Sequence, residues 1–263
     1  MERVKVKILG ISCAHRKEST TAQLVQYSLK AVEKFGKRIS RVAQVETEFI
    51  DLADKEISPC LCCNKRYEMP NGGLPWKGAE QPEASCIQQD DYLAKELMPK
   101  MAEADGYIFG SPVHTLSFTS QFRLFWERLC AGLWGDWFVN KPAATIAVGY
   151  GFFGGEESCL NDMNACITLM QMIPISWMHG NASVTVPRLD LNLAPSNVRV
   201  RCFFALMNAR RVAELAVMQK VAKRRLGDLH KREFIQHYHA PHGEASWEWR
   251  KLDERDEAYL VSL

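Results

Sequence analysis

The chain has 263 residues, enough for one large α/β domain or one domain with a long extension, and too many for a mini-protein that needs staples. Its composition, 47% hydrophobic and 24% charged, excludes disorder, collagen and coiled coil as descriptions of the whole. Thirty-three basic against 31 acidic residues leave +2, which gives no electrostatic ground for nucleic acid or an anionic membrane as partner and points to a small ligand.

From Val4 to Ser12 an alternating pattern runs into a continuous apolar stretch, the signature of a strand entering a parallel sheet. A polar loop follows. Between Ser19 and Phe35 the residues Ala22, Val25, Leu29 and Val32 share one helical face, with Ser19, Thr20 or Thr21 available as cap. The unit then repeats: strand Val45 to Leu52, helix Asp91 to Met101, strand Gly106 to Pro112, helix Ser120 to Leu133, strand Ala143 to Tyr150, helix Glu157 to Met172, strand Ala182 to Val186. Alternation of this kind predicts a doubly wound α/β fold whose five-stranded parallel sheet is covered on both faces, with ligands beyond the carboxyl ends of the strands.

Two segments stand outside the pattern. Residues 64 to 85, with three prolines and three glycines, read as an insertion. Beyond Pro187, residues 188 to 263 read as a C-terminal helical extension, its helix running from about Asn197 to Leu226. The basic residues Lys220, Lys223, Arg224, Arg225, Lys231 and Arg232 read as a solvated face, and His230, His237, His239 and His242 fit no standard metal spacing. Tyr238, Trp247, Trp249 and Tyr259 need a surface to bury against, for which a neighbouring subunit in a homodimer or homotetramer is the expectation.

No apolar run approaches the ~18 residues of a transmembrane helix, and the N-terminus lacks a secretory stretch, so a cytoplasmic location is expected. Of nine cysteines, Cys13, Cys130, Cys159, Cys166 and Cys202 lie singly in apolar surroundings and read as small buried hydrophobes. Cys60, Cys62, Cys63 and Cys86 are grouped differently.

Three strand-end loops could carry chemistry. Ser12 to Thr21 combines four hydroxyl residues, Arg16, Lys17 and a helix N-terminus, the donors and positive field a phosphate monoester requires; read plainly it is also a capped helix. This first loop holds neither GxGxxG nor a Walker pattern. After the third strand, Gly110 to Leu129 begins with a Gly-Ser-Pro turn that would expose backbone amides at the crevice, where a flat ring could lie. The fourth strand ends with four glycines between Gly149 and Gly155, suited to close backbone approach or to a mobile turn.

Ser12, Arg16, Ser19 and Thr21, then GSPV at 110 to 113 with the following QFRLFWER helix, then the glycine-rich loop at 149 to 155, resemble the NADPH-dependent FMN reductase family, nearest its iron–sulfur flavoprotein branch. The resemblance covers about residues 4 to 187. It implies a flavodoxin-like sheet of order 2-1-3-4-5 and bound FMN, with NAD(P)H as co-substrate. It places the phosphate on Ser12, Arg16, Ser19, Thr20 and Thr21. The flavin ring would lie against Ser111, Pro112, Val113, His114, Thr115 and Leu116, its edge closed by Gly149, Tyr150, Gly151, Gly154 and Gly155. His114 is a candidate to donate a hydrogen bond or a proton.

In the iron–sulfur branch four cysteines follow the second strand. Cys60 and Cys63 match the first pair, Arg66 stands where the next cysteine belongs, and Cys86 resembles the last, displaced by the insertion. Cys60, Cys62, Cys63 and Cys86 are thus read as ligands of an iron–sulfur cluster, as a zinc site, or as thiols lining the flavin. The function expected is an FMN-dependent NAD(P)H oxidoreductase with a small acceptor, a flavin or quinone; the alternative is an electron-transfer iron–sulfur flavoprotein with a ferredoxin-like partner.

Overall fold

The computed structural model describes residues 3–61, 86, 88, 90–129, 137–149, 154–175, 181–183 and 196–226. Strand β1 (Val4–Ser12) is central: it pairs in parallel with β2 (Ala43–Asp51) on one side and with β3 (Gly106–Pro112) on the other. Beyond β3 lies β4 (Pro142–Gly149), also parallel. The order 2-1-3-4-5 is therefore as expected, and burial of β3 and β4 on both faces explains their unbroken apolar runs.

The fifth position differs from the expected strand at Ala182 to Val186. Two short strands share it: β5 (Ile173–Ile175) pairs with Pro142 to Ala144, and β6 (Asn181–Ser183) pairs with Ala147 to Gly149. A three-residue strand carrying Pro174, tolerated at a sheet edge, offers no periodicity to read.

One face of the sheet is covered by α1 (Thr20–Arg38) and α5 (Ser196–Leu226), which share a core with Val6, Ile8, Ile108 and Ile146. Cys202, Ala205, Ala209, Val212, Ala213 and Ala216 of α5 are buried there, so this helix of the segment beyond residue 187 is part of the sandwich. Small residues let α5 approach closely: a Cβ on Gly106 would stand 2.7 Å from Val212 Cγ1. The opposite face is covered by a π-helical turn (Leu93–Leu97) leading into α2 (Met98–Glu103), by α3 (Ser120–Arg128) and by α4 (Glu156–Leu169). Helix α3 is shorter than the expected Ser120 to Leu133. Its aromatic side anchors it: Phe122 stacks on Trp126 at 4.9 Å, and Phe118 and Phe109 pack against Phe122.

Cys13, Cys159 and Cys202 are fully buried, as read from the sequence. Cys166 is half-buried, because Cys159, Leu160, Met163 and Ile167 take the inward face of α4 and leave it at the margin. Cys130 lies outside the described residues, as do the insertion at 64 to 85 and residues 227 to 263 with the four tail histidines and aromatics.

Candidate functional site

At the carboxyl end of β1, Ser12, Cys13 and Ala14 remain buried, and the chain then emerges through exposed His15, Arg16, Lys17 and Glu18. Glu18 takes φ +52°, turning the chain into α1. Ser19 caps that helix: its backbone is extended and its Oγ accepts from the Ala22 N–H at 3.1 Å. The first turn of α1 holds no acidic side chain, so the positive helix end is left for an external anion. Lys17 is ion-paired with Asp54 at 2.7 Å, whereas Arg16 has no partner among the described residues. The Ser12 hydroxyl is fully buried beside Asp51 and forms no hydrogen bond of ordinary geometry. Burial raises the Asp51 carboxyl above its usual range, against the opposing bond from the Ala53 N–H.

The β3 loop lies alongside. The Cys13 N–H donates to the Gly110 carbonyl at 2.8 Å, and a Cβ on Gly110 would stand 2.5 Å from Val25 Cγ2 and 3.0 Å from the Thr21 methyl. Only glycine there lets the start of α1 settle against β3. Ser111 is buried; its Oγ donates to the Pro112 carbonyl and accepts from the Thr119 N–H at 3.1 Å. Thr119 caps α3 and donates its own hydroxyl to the Cys13 carbonyl at 2.7 Å, tying the two loops together. Between them His114 and Ser117 exchange backbone hydrogen bonds at 2.9 and 3.0 Å around a two-residue turn. Both turn residues, Thr115 (φ +51°) and Leu116 (φ +66°), are left-handed, a strained geometry for non-glycine side chains that surrounding contacts must hold. Asp162 of α4 accepts from the Ser117 hydroxyl. His114 stacks on His15, which also contacts the Ser120 hydroxyl at 3.2 Å.

The third loop closes on the second. Gly155, at φ +97°, caps α4 and approaches so near that a Cβ would stand 3.0 Å from Val113 Cγ1 and Leu116 Cδ2. The Glu156 side chain folds back over Gly149, occupying the space a Cβ would need. Of the expected site residues, Ser12, Arg16, Ser19, Thr20, Thr21, Ser111 to Leu116, Gly149, Gly154 and Gly155 thus gather at one end of the sheet. Ser111 and Thr21 are buried supports within it, and Tyr150 and Gly151 lie outside the described residues. His15 and Thr119 were missed from the sequence. His15 sits within the polar loop itself, and Thr119 is the hydroxyl residue immediately before the expected helix start.

Cys60 and Cys86 are both half-buried; Cys62 and Cys63 lie outside the described residues. Among the described residues no group of three or more candidate ligands could hold a metal ion.

A parallel sheet of this order, with an uncompensated helix N-terminus beside two turn-forming loops, is the flavodoxin-like architecture, in which ligands bind beyond the carboxyl ends of the strands. The chain belongs to the NADPH-dependent FMN reductase family, whose model matches residues 6–182. It is an FMN-dependent, NAD(P)H-linked oxidoreductase. An iron–sulfur flavoprotein of Methanocaldococcus jannaschii is 33% identical over 170 residues, which cover 65% of this chain and 76% of that protein. One of Methanosarcina thermophila is 24% identical over 182 residues, covering 69% and 77%. The fold is shared with an oxidoreductase of Corynebacterium diphtheriae, with TM-score 0.54 and 15% identity over 81% of this chain and 98% of that one. An NADH:FMN oxidoreductase in its apo form gives TM-score 0.51 and 18% identity, covering 78% and 89%. No helix among the described residues is long and apolar enough to cross a membrane.

Proposed function

We propose that the three loops hold FMN with its phosphate at the N-terminus of α1 and its ring between the β3 and β4 loops, and that electrons pass from NAD(P)H to a small acceptor such as a flavin or quinone. The observation that carries this reading is the Thr119 to Cys13 hydrogen bond, which fixes the anion-binding loop and the ring loop as one unit. The residues fit the group: the helix end lacks a carboxylate, Arg16 has no partner among the described residues, and the buried Ser12 hydroxyl is unsatisfied. When bound, FMN accepts hydride and returns electrons to the acceptor. Arg16, Ser19 and the first-turn amides neutralise the phosphate, while the strained turn at Thr115 and Leu116 presents backbone to the ring edge. His114 is placed to donate a hydrogen bond there.

The test is reconstitution with FMN followed by anaerobic NADPH and NADH oxidation with riboflavin or a quinone. Turnover of either nicotinamide with a small acceptor supports the reading. Crystals grown in excess FMN with the phosphate elsewhere overturn the assigned residues. The iron–sulfur reading is favoured by one observation: the arms carrying Cys60 and Cys86 are bound to each other, since the Gln88 side chain donates to the Pro59 carbonyl at 2.9 Å. Iron and acid-labile sulfide in anaerobically purified protein, lost with retained flavin in Cys60→Ser/Cys63→Ser, would establish it, and reduction only by a ferredoxin-like donor would make the chain a carrier. A homodimer or homotetramer remains the proposed assembly, checked by light scattering.

A further inference from the structure

Glu156, the first residue of α4, has no role in the site as described so far. Two charged residues are buried among the described residues, Arg128 at 3% exposure and Glu156 at 7%. Arg128 has its counter-charge in Asp91. Glu156 accepts no side-chain hydrogen bond and forms no ion pair among the described residues. A carboxyl group taken out of water without a donor is costly, so its place in the fold calls for a use.

Helix α4 does not supply that use. An acidic residue in a first turn commonly serves the helix dipole, and exposed Glu157 is already placed to do so. The Glu156 side chain turns the other way. Its Cδ would stand 2.5 Å and its Cγ 2.9 Å from a Cβ on Gly149, and its Oε2 4.0 Å from one on Gly154. The carboxyl group therefore sits between the two ends of the glycine loop. Among the described glycines only Gly154 and Gly155 take positive φ, so it is the Glu156 side chain, and not the backbone, that requires glycine at 149. The neighbouring Gly155 packs against Val113 and Leu116 of the ring loop, which sets this buried charge at the junction of the β3 and β4 loops.

We propose that Glu156 tunes the flavin: its carboxylate, held inside the β4 loop, sets a fixed negative charge near the ring edge and makes bound FMN a stronger reductant. The inference rests on the placement of FMN proposed above. A hydride carries two electrons and one proton, so the ring gains one negative charge until a second proton reaches it from solvent, and the nicotinamide leaves oxidised. A fixed carboxylate in a water-poor surround opposes that added charge and disfavours reduced over oxidised FMN. A more reducing flavin reaches acceptors that are harder to reduce. A carboxyl group that only braced its loop would act through shape, and would affect both redox forms of FMN alike.

Two substitutions separate charge from shape. Glu156→Gln keeps the shape and removes the charge, whereas Gly149→Ala keeps the charge and displaces it, since the added methyl claims the space the side chain fills. The midpoint potential of bound FMN is measured by anaerobic spectroelectrochemistry in the wild type and both variants. In Glu156→Gln reduced FMN should gain about 10-fold in affinity relative to oxidised FMN, a rise of about 30 mV for a two-electron couple. Gly149→Ala should move the potential in the same direction. A potential in Glu156→Gln equal to or below that of the wild type overturns the inference while leaving the FMN cradle standing; a wild type that retains no FMN overturns the cradle itself and this inference with it. If Glu156→Gln fails to fold by circular dichroism, Gly149→Ala decides: a raised potential supports the inference, and an unchanged or lowered one overturns it. If neither folds, the wild type decides: a potential below that of free FMN in the same buffer supports it, and one at or above overturns it.

Discussion

His15 stacks on His114 with ring centroids 5.7 Å apart and planes 17° from parallel, joining the loop after β1 to the turn after β3. Both rings are exposed, so the stack bears on loop geometry more than on global stability. A pair of this kind contributes about 0.5–1.5 kcal/mol. His15→Ala is expected to weaken FMN binding by roughly 2- to 10-fold and to leave the melting temperature of the flavin-free protein nearly unchanged. Flavin fluorescence titration and calorimetry check the two halves of this statement.

Arg16 is exposed and unpartnered among the described residues, so changing it costs the fold little. Arg16→Glu sets a carboxylate against the flavin phosphate at the α1 N-terminus. The expected outcome is protein that purifies without flavin and fails to retain added FMN through gel filtration, with unchanged circular dichroism. Retained flavin would displace the phosphate from this loop.

Gly110→Ala tests how closely α1 must sit. The added methyl would stand 2.5 Å from Val25 Cγ2, and overpacking of a filled interior costs about 1–3 kcal/mol. Because the shift lifts the first turn of α1, FMN affinity should fall together with urea stability. Loss of stability alone would show that the helix end is not held by this contact.

Lys141 supplies a pH dependence. Its ammonium lies over the base of the sheet, donating to the Ala102 carbonyl at 2.8 Å, and burial lowers its pKa to about 7 from 10.5. Asp105 opposes that shift, and Lys220 and Lys223 add to it. The unfolded chain therefore binds a proton that the folded chain has released between about pH 7 and 10.5, and stability rises with pH across this window. Relative to Lys141→Met, the wild type should gain up to ~1.4 kcal/mol per pH unit there, read from paired urea titrations. A constant difference between the two proteins would mean that Lys141 stays protonated in the fold.

Much of this arrangement could be read from the chain because strands covered on both sides leave continuous apolar runs, as in Tyr107 to Phe109 and Ala143 to Val148. Hydroxyl and glycine residues at three successive strand ends then located the loops. What escaped depends on tertiary neighbours. β5 is three residues long and exists only through its pairing with β4. The left-handed pair Thr115 and Leu116 carries no glycine or asparagine to announce a turn. Arg128 and Asp91 are distant in sequence, so only folding reveals that both guanidinium nitrogens meet the Asp91 carboxylate.

The Gln88 to Pro59 hydrogen bond bears on how the stretch between these two residues can change in length. Because the Gln88 side chain holds the Pro59 carbonyl, the sequence between them closes a ring at its two ends. Lengthening such a ring costs only ~0.6 kcal/mol per doubling. Insertions or deletions in this stretch can therefore accumulate while the sheet and its three strand-end loops are inherited intact.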